Sequence, residues 1–233
     1  MNKYLSALLD IIYPRICPFC GNAVAVGKPR CDCDMTGVAV SDDINRKGIE
    51  SEDHHLQYVF KAVSPIYYKG CGQHAVLKFK YGTRPGTGVY LADLMADCVR
   101  THLPLDEIDF VTHVPAMKED LEDKAYDQTA FLSRRLAKML KKNSLDSLQK
   151  IYQTDKQHTL NKFRRAANVL GAYEVTDKEA VSGKIALLVD DILTTGYTAD
   201  ECAKMLRLRG CKKVYLCTAA FTHKEKEKLK RRM

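Results

Sequence analysis

Two adjacent carboxylates followed by a cluster of hydroxyls stand out in the stretch LLVDDILTTGYT, which runs from Leu187 to Thr198. Asp190 and Asp191 end an apolar run, which predicts that they lie at the end of a buried strand. Two acids in that position can accept hydrogen bonds from vicinal sugar hydroxyls, or hold a hard cation through water. The pair therefore predicts a site for a sugar or a cation.

The residues that follow the acid pair favour a phosphate as the neighbouring group. They lead into a predicted helix and are Thr194, Thr195, Gly196, Tyr197 and Thr198. Backbone N–H groups at a helix N-terminus, a glycine that permits close approach and several hydroxyl donors form a cradle suited to an anion. Sugar hydroxyls beside a phosphate describe a ribose 5-phosphate, which is the ligand that this stretch predicts.

A helix cap, a receiver-type pocket and a Walker-type loop each fit this stretch less well. Thr198 could simply cap the helix while the aspartates form a turn, since both residue types are favoured in those places. A cap alone, however, requires neither two acids nor three threonines. A receiver-type pocket has its acids spread over several strand ends, and a Walker-type loop needs the pattern GxxxxGK[ST], which this sequence lacks.

Four cysteines near the N-terminus have the spacing of a metal site. Cys17, Cys20, Cys31 and Cys33 form the pattern C-x2-C-x10-C-x-C. Two close pairs can direct four thiolates at one tetrahedral zinc, and four sulfur ligands indicate a structural site because no position stays open for water. The second pair is one residue shorter than usual, so Cys71 is an alternative fourth ligand in place of Cys33. The competing interpretation is that these cysteines are free thiols.

Composition places the chain among soluble proteins of the cytoplasm. Its 233 residues are 45% hydrophobic, enough for a sizeable core. The apolar stretch Leu5 to Tyr13 contains Asp10 and is too short to span a bilayer, so no membrane insertion is expected. The formal net charge is +8, but the tail from Lys224 to Arg232 has six basic and two acidic residues and supplies half of that excess. The charge is thus weak evidence for a nucleic-acid partner.

Alternating strands and helices would position these residues. Lys184 to Val189 predicts a strand, Ala199 to Arg209 a helix and Lys213 to Ala219 another strand. Such a βαβ unit has parallel strands, which predicts an α/β fold with a doubly wound, mainly parallel sheet. Ligands of such sheets bind outside the carboxyl ends of the strands, where the acid pair and the threonines would lie.

Composition also divides the chain into four segments. They are an N-terminal helix and zinc-knuckle module (1–40), a polar linker (41–57), the α/β domain (58–222) and a basic tail (223–233).

Taken together, these motifs resemble the ComF family. LLVDDILTTGYT is similar to the phosphoribosyl-pyrophosphate binding signature of type I phosphoribosyltransferases, and a cysteine knuckle ahead of such a domain is typical of ComF proteins. Three further segments are similar to motifs of that family, namely YYKGCGQHAVLKFKYG, HVPAM and TDKQHTLNKFRRAANVLGAYEV. The resemblance covers residues 4 to 220.

The resemblance implies a type I phosphoribosyltransferase fold that binds phosphoribosyl pyrophosphate or a nucleotide with Mg²⁺, beside a structural zinc. Asp190 and Asp191 would then hold the ribose hydroxyls, residues 194 to 198 the 5-phosphate, and Lys118 the pyrophosphate. The family also implies a link to DNA uptake or nucleotide salvage, with single-stranded DNA and DNA-uptake proteins as partners.

Three other residues are candidates in the same resemblance. Arg164 and Arg165 would bind substrate or DNA phosphate, although a surface salt bridge on a helix explains them nearly as well. Gln128 matches the end of the family's basic pyrophosphate motif.

One segment departs from the family pattern. Where a basic run is usual, this sequence has KEDLEDKAYDQ from Lys118 to Gln128, which keeps Lys118 and Lys124 but surrounds them with four carboxylates. Like charges next to a pyrophosphate are repulsive unless a cation intervenes. Two functions therefore stay open, a phosphoribosyltransferase acting on an unknown base, and an inactive module that binds nucleotide or single-stranded DNA.

Overall fold

The structure is a computed structural model that describes residues 16–24, 31, 38–40, 42–49, 54–81, 86–117, 126–152 and 169–222. The helices in these ranges are α1 (Asp42–Lys47), α2 (Gly70–Tyr81), α3 (Gly86–His102), α4 (Gln128–Leu140), α5 (Lys178–Val181) and α6 (Tyr197–Leu208), with a 3-10 turn at Leu105–Glu107. The strands are β1 (Lys61–Val63), β2 (Ile66–Tyr67), β3 (Phe110–His113), β4 (Asn143–Ser144), β5 (Leu148–Lys150), β6 (Tyr173–Val175), β7 (Ile185–Leu193) and β8 (Lys213–Phe221).

A parallel sheet organises the described residues, as the sequence predicts. Its strand order is β1-β8-β7-β3-β4, and β2 extends the edge by pairing with β8. Each of these pairings is parallel, while β5 and β6 form a separate antiparallel pair. The prediction of a doubly wound, mainly parallel α/β fold is confirmed.

Hydrophobic side chains cover both faces of this sheet, because successive residues of a strand point to opposite faces. In β7, Leu187 and Val189 pack into one cluster with residues of α2, α3 and α4. Ala186 and Leu188 pack into a second cluster on the other face, with residues of α6. The continuous apolar run before the acid pair is thus explained by burial on both sides.

The central strands extend further than the apolar runs suggest. The sequence predicts a strand that ends at Val189, whereas β7 continues through both aspartates to Leu193. Its pairing with β8 continues in register as far as Leu193 and Phe221. The backbone ladder therefore keeps the acid pair in strand conformation despite its low β-propensity.

Part of the segment predicted as a linker packs against the domain. The buried side chain of Asn45, in α1, accepts a hydrogen bond from Ser64 N at 3.0 Å and donates one to Ser64 O at 2.9 Å. The N–H of Ile49 donates to Ala62 O at 2.9 Å. These contacts connect α1 and Ile49 to Ala62 in β1 and to Ser64, which directly follows β1.

Several predictions fall on residues outside the described ranges. They concern Leu5 to Tyr13, Cys33, Lys118, Arg164 and Arg165, and the tail 223–233. Across the described part of the chain, no helix combines the length and the apolar character that a bilayer span requires.

Candidate functional site

The chain leaves the carboxyl ends of the neighbouring strands β3 and β7 in opposite directions. From β3 the chain passes through α4 to β4 on one side, and from β7 it passes through α6 to β8 on the other. The strand order therefore reverses between β3 and β7. In open α/β sheets, such a reversal opens a crevice outside the carboxyl ends of the strands, where ligands bind.

Asp190 and Asp191 lie in the carboxyl-terminal part of β7 and face different neighbours. The Asp191 carboxylate (Oδ2) lies 2.9 Å from the ammonium nitrogen of Lys80, at the end of α2. Asp190 faces α6, where burial and then the charge of Asp190 raise the pKa of the Cys202 thiol. The main-chain N–H of Asp191 also donates to Asp190 Oδ1 at 2.8 Å. The two carboxylates thus differ in their other neighbours, although they also interact with each other.

Electrostatics at the pair favour a bound cation or hydrogen-bond donor. Burial, and secondly the neighbouring Asp191 charge, raise the pKa of Asp190 well above its usual range. Burial alone would lower the pKa of Lys80, but the contact with Asp191 and the charge of Asp190 outweigh burial, so that the pKa of Lys80 is raised. Lys80 is therefore held in its charged form next to the acids.

The threonine loop forms the other wall of the same pocket. This open pocket has a volume of about 260 Å³ and is lined by Lys80, Asp190, Asp191, Ile192, Leu193, Thr194, Thr195, Gly196, Thr198 and Ala199. Of the predicted phosphate ligands, Tyr197 is not part of the lining. Its ring stacks instead on His55, with 4.8 Å between ring centroids.

The start of α6 leaves its backbone donors available to a ligand. Gly196 is the N-cap residue and supplies no side-chain cap, while Thr198 lies inside the first turn. The alternative in which Thr198 caps the helix and the aspartates form a turn is therefore wrong. Uncapped N–H groups at a helix N-terminus attract anions through their partial positive charge.

Gly196 is required by a protein contact that the sequence does not reveal. Its φ is +87°, and a Cβ at this position would lie 2.5 Å from His55 O. The His55 N–H donates to Thr195 O at 2.7 Å, and His55 Nε2 lies 3.4 Å from the buried carboxylate of Asp200. Asp200 also accepts from Tyr58 N at 2.6 Å. Residues 55 to 58 therefore contact both the threonine loop and Asp200 in the first turn of α6.

Gln128 lies near the pocket but contacts it indirectly. Its Nε2 donates to the carbonyl oxygen of Lys80 at 3.2 Å.

Asp127, the last acid of the acidic run, caps α4 through a hydrogen bond of 3.0 Å from Ala130 N to its Oδ1. Asp127 thus has a structural role at the start of α4.

Three of the four predicted zinc ligands converge. The sulfur atoms of Cys17, Cys20 and Cys31 all lie within 4.8 Å of one another, and those of Cys20 and Cys31 are 3.6 Å apart. The CPxCG turn is closed by a hydrogen bond of 3.0 Å from Gly21 N to Cys17 O. Cys71 is not part of this group. Three clustered thiols can bind a metal such as zinc.

The cysteine knuckle is attached to α3 through one tyrosine. The N–H of Cys31 donates to the hydroxyl oxygen of the buried Tyr90 at 3.0 Å. The ring of Phe19, inside the knuckle, packs edge-on against Tyr90 with 5.7 Å between centroids. The clustered cysteines therefore lie against the same layer of helices that carries Lys80.

Comparison with known proteins agrees with this geometry. A family model described as the phosphoribosyl transferase domain matches residues 121–232. Competence protein F of Haemophilus influenzae is 31% identical over 129 residues, which cover 54% of this chain and 55% of that protein. The chain thus spans about half the length of this curated relative.

Two solved structures are also similar at low identity. One is the allosteric regulatory enzyme of purine biosynthesis, at 20% identity and a TM-score of 0.42, covering 62% of this chain and 30% of that one. The other is the glutamine phosphoribosylpyrophosphate amidotransferase from B. subtilis complexed with ADP and GMP, at 21% identity with the same TM-score and coverage. The predicted resemblance to a ComF-like, phosphoribosyltransferase-type protein is confirmed by the family match and the curated relative.

Proposed function

We propose that this ComF-like protein of the phosphoribosyltransferase type binds phosphoribosyl pyrophosphate, or another ribose 5-phosphate, together with Mg²⁺ in the pocket between β7 and α6. One observation carries the proposal. The carboxylates of Asp190 and Asp191 and the uncapped N-terminus of α6 line one pocket of about 260 Å³. Acids suited to sugar hydroxyls and backbone donors suited to a phosphate therefore lie side by side.

Each wall of the pocket has its own role in this proposal. The 5-phosphate accepts hydrogen bonds from N–H groups at the start of α6 and from the hydroxyls of Thr194, Thr195 and Thr198. Asp190 and Asp191 accept hydrogen bonds from the ribose hydroxyls and are the residues that would hold Mg²⁺. Bound there, the cation would neutralise charge on the ligand's diphosphate. Lys118, Arg164 and Arg165 are proposed as further phosphate contacts.

A link to competence is part of the proposal and is supported by the similarity to Competence protein F. On this basis the protein acts in DNA uptake or nucleotide salvage in the cytoplasm, with single-stranded DNA or DNA-uptake proteins as partners. The knuckle, within residues 1–40, holds a structural zinc through Cys17, Cys20 and Cys31, with Cys33 as the fourth ligand. The phosphoribosyltransferase-like domain spans 58–222.

A second candidate function is binding without turnover. It is favoured by the four carboxylates between Lys118 and Lys124, in the position where the resemblance to the ComF family implies a basic pyrophosphate segment. Loss of a leaving-group contact reduces transfer more than it reduces binding, since charge on the leaving group grows in the transition state. Both functions share the ribose 5-phosphate pocket.

Calorimetric titration tests the shared pocket. We expect phosphoribosyl pyrophosphate to bind wild-type protein in the presence of Mg²⁺, and binding to be lost when Asp190 and Asp191 are both changed to Asn. Asp43→Asn is the matched control, because Asp43 is an exposed acid of α1 that does not line the pocket. Absence of binding to wild-type protein would exclude the proposed ligand.

A second assay separates the two candidates. Release of pyrophosphate is measured with a panel of purine and pyrimidine bases, using protein that has passed the binding test. Release that depends on one base identifies a transferase, and binding with no release across the panel identifies a binding module.

A further inference from the structure

The pocket contains a cationic side chain of the protein itself. Among the described residues that line it, Lys80 has the only cationic side chain. Its ammonium nitrogen is 2.9 Å from Asp191 Oδ2, and the two side chains are 32% and 15% exposed. This is a partly buried ion pair at the carboxylate that the ligand is proposed to use.

The backbone around Lys80 packs against α3 and α4, while its side chain lines the pocket. Phe79 is buried and lies so close to Gly88 of α3 that a Cβ there would be 2.5 Å from the Phe79 ring. Phe79 also contacts the ring of Phe131 in α4, at 6.2 Å between centroids. The hydrogen bond from Gln128 to the carbonyl of Lys80 adds a second link to α4. These contacts fix the backbone position from which the Lys80 side chain enters the pocket.

The Lys80 contact and the proposed ligand compete for the same carboxylate. Mg²⁺ bound at Asp191 Oδ2 would lie against the Lys80 ammonium group, which is 2.9 Å from the same oxygen, and the two cations would repel each other. Binding of the cation at this oxygen therefore displaces Lys80 from Asp191. A displaced ammonium group in a partly closed pocket needs a new anionic partner.

The ligand itself offers that partner. A diphosphate brings several negative charges into a pocket where, among the described lining residues, Lys80 supplies the cationic side chain. We propose that Lys80 is a ligand-contacting residue that neutralises Asp191 in the free protein and transfers to the ligand's diphosphate when the Mg²⁺ complex binds. This inference rests on the proposed function and assigns the diphosphate contact to α2.

Two titrations test the exchange with the variant Lys80→Gln, which removes the charge at similar length. In the first, Mn²⁺ or Mg²⁺ is titrated without ligand. We expect Lys80→Gln to bind the cation about fivefold more tightly than wild type, because a partly exposed ion pair no longer competes. In the second, the Mg²⁺ complex of phosphoribosyl pyrophosphate is titrated, and Lys80→Gln should bind about tenfold more weakly, since a charge-assisted hydrogen bond is lost.

Two further variants make the results specific. Lys78→Gln removes an exposed lysine of the same helix that does not line the pocket, and both affinities should stay at wild-type values. Lys80→Arg keeps the charge and should retain most of the ligand affinity. Thermal melting of each variant confirms that it is folded before titration.

The outcomes distinguish this inference from the proposed function. If wild-type protein does not bind the ligand, the proposed function fails and the inference fails with it. If wild type binds and Lys80→Gln binds equally well, the inference alone is overturned. An unchanged cation affinity in Lys80→Gln would likewise overturn it, because Lys80 would then not compete for Asp191.

Discussion

Substitution of Gly196 by alanine should weaken the whole domain through a contact with residues far away in sequence. Gly196 has a φ of +87°, a conformation that side chains with a Cβ rarely adopt. A Cβ would lie 2.5 Å from His55 O and 2.9 Å from His55 N. Both neighbours are backbone atoms, so they cannot rotate aside as a side chain would.

Two terms contribute to the expected loss. Left-handed backbone costs an alanine about 1–2 kcal/mol relative to glycine. Displacement of His55 also breaks its 2.7 Å hydrogen bond to Thr195 O, which contributes about 1 kcal/mol. We therefore expect Gly196→Ala to lower the free energy of unfolding by about 2–3 kcal/mol.

Gly183→Ala is the matched control. Gly183 has a similar φ of +74°, but nothing lies within 4 Å of its Cβ position, so that only the backbone term applies. Urea unfolding followed by circular dichroism gives both values, provided that each transition is two-state. Gly196→Ala should cost about 1 kcal/mol more than Gly183→Ala, since only it loses a hydrogen bond. Equal losses in the two variants would refute the role assigned to His55.

Two other substitutions test the energetics of single buried groups. Asp190→Asn should raise the urea midpoint at neutral pH, because the raised pKa of Asp190 means that the fold loses stability as the pH rises above the usual pKa of an aspartate. The gain should shrink as the pH falls towards about 4, the usual pKa of an aspartate, and a gain independent of pH would contradict this cause. Asn45→Ala leaves the buried N–H and C=O of Ser64 without these partners and should cost about 2–4 kcal/mol by the same assay. Asp43→Ala, on the exposed side of α1, should change the free energy of unfolding little. A loss as large as that of Asn45→Ala would mean that the helix, and not the contact with Ser64, is responsible.

The sequence was sufficient to predict the β7-α6-β8 unit, because apolar runs and helical periodicity report burial directly. It placed the end of β7 too early, at Val189, since the strand is extended by backbone pairing with β8 and not by its own residue types. The convergence of Cys17, Cys20 and Cys31 followed from spacing alone, as expected for ligands on one short turn and a nearby segment.

Contacts between distant segments were not predictable in the same way. Nothing in LKFKYG predicts that Lys80, and not Lys78, lines the pocket. The pairing depends on the position of Asp191, which lies on another element. His55 lies in a polar run that is typical of a loop, and its backbone contact with Gly196 leaves no pattern in the sequence. The sequence singles out Gly196 for the approach of a phosphate, and the structure adds a second reason, the close approach of the His55 backbone.

The parallel pairing of β1 with β8 has a consequence for how the protein folds during synthesis. Lys61 pairs with Tyr215 and Val63 with Cys217, so an early strand finds its neighbour only after β8 has been made. Contacts between such distant residues close slowly, because the chain entropy of a long loop is lost before the contacts stabilise the fold. Since β7 also pairs with β8, the acid pair and the threonine loop cannot reach their final positions on the ribosome before residue 221 has emerged. Until then, the apolar edges of β1 and β7 are exposed, and this is the stage at which the chain is most prone to aggregate.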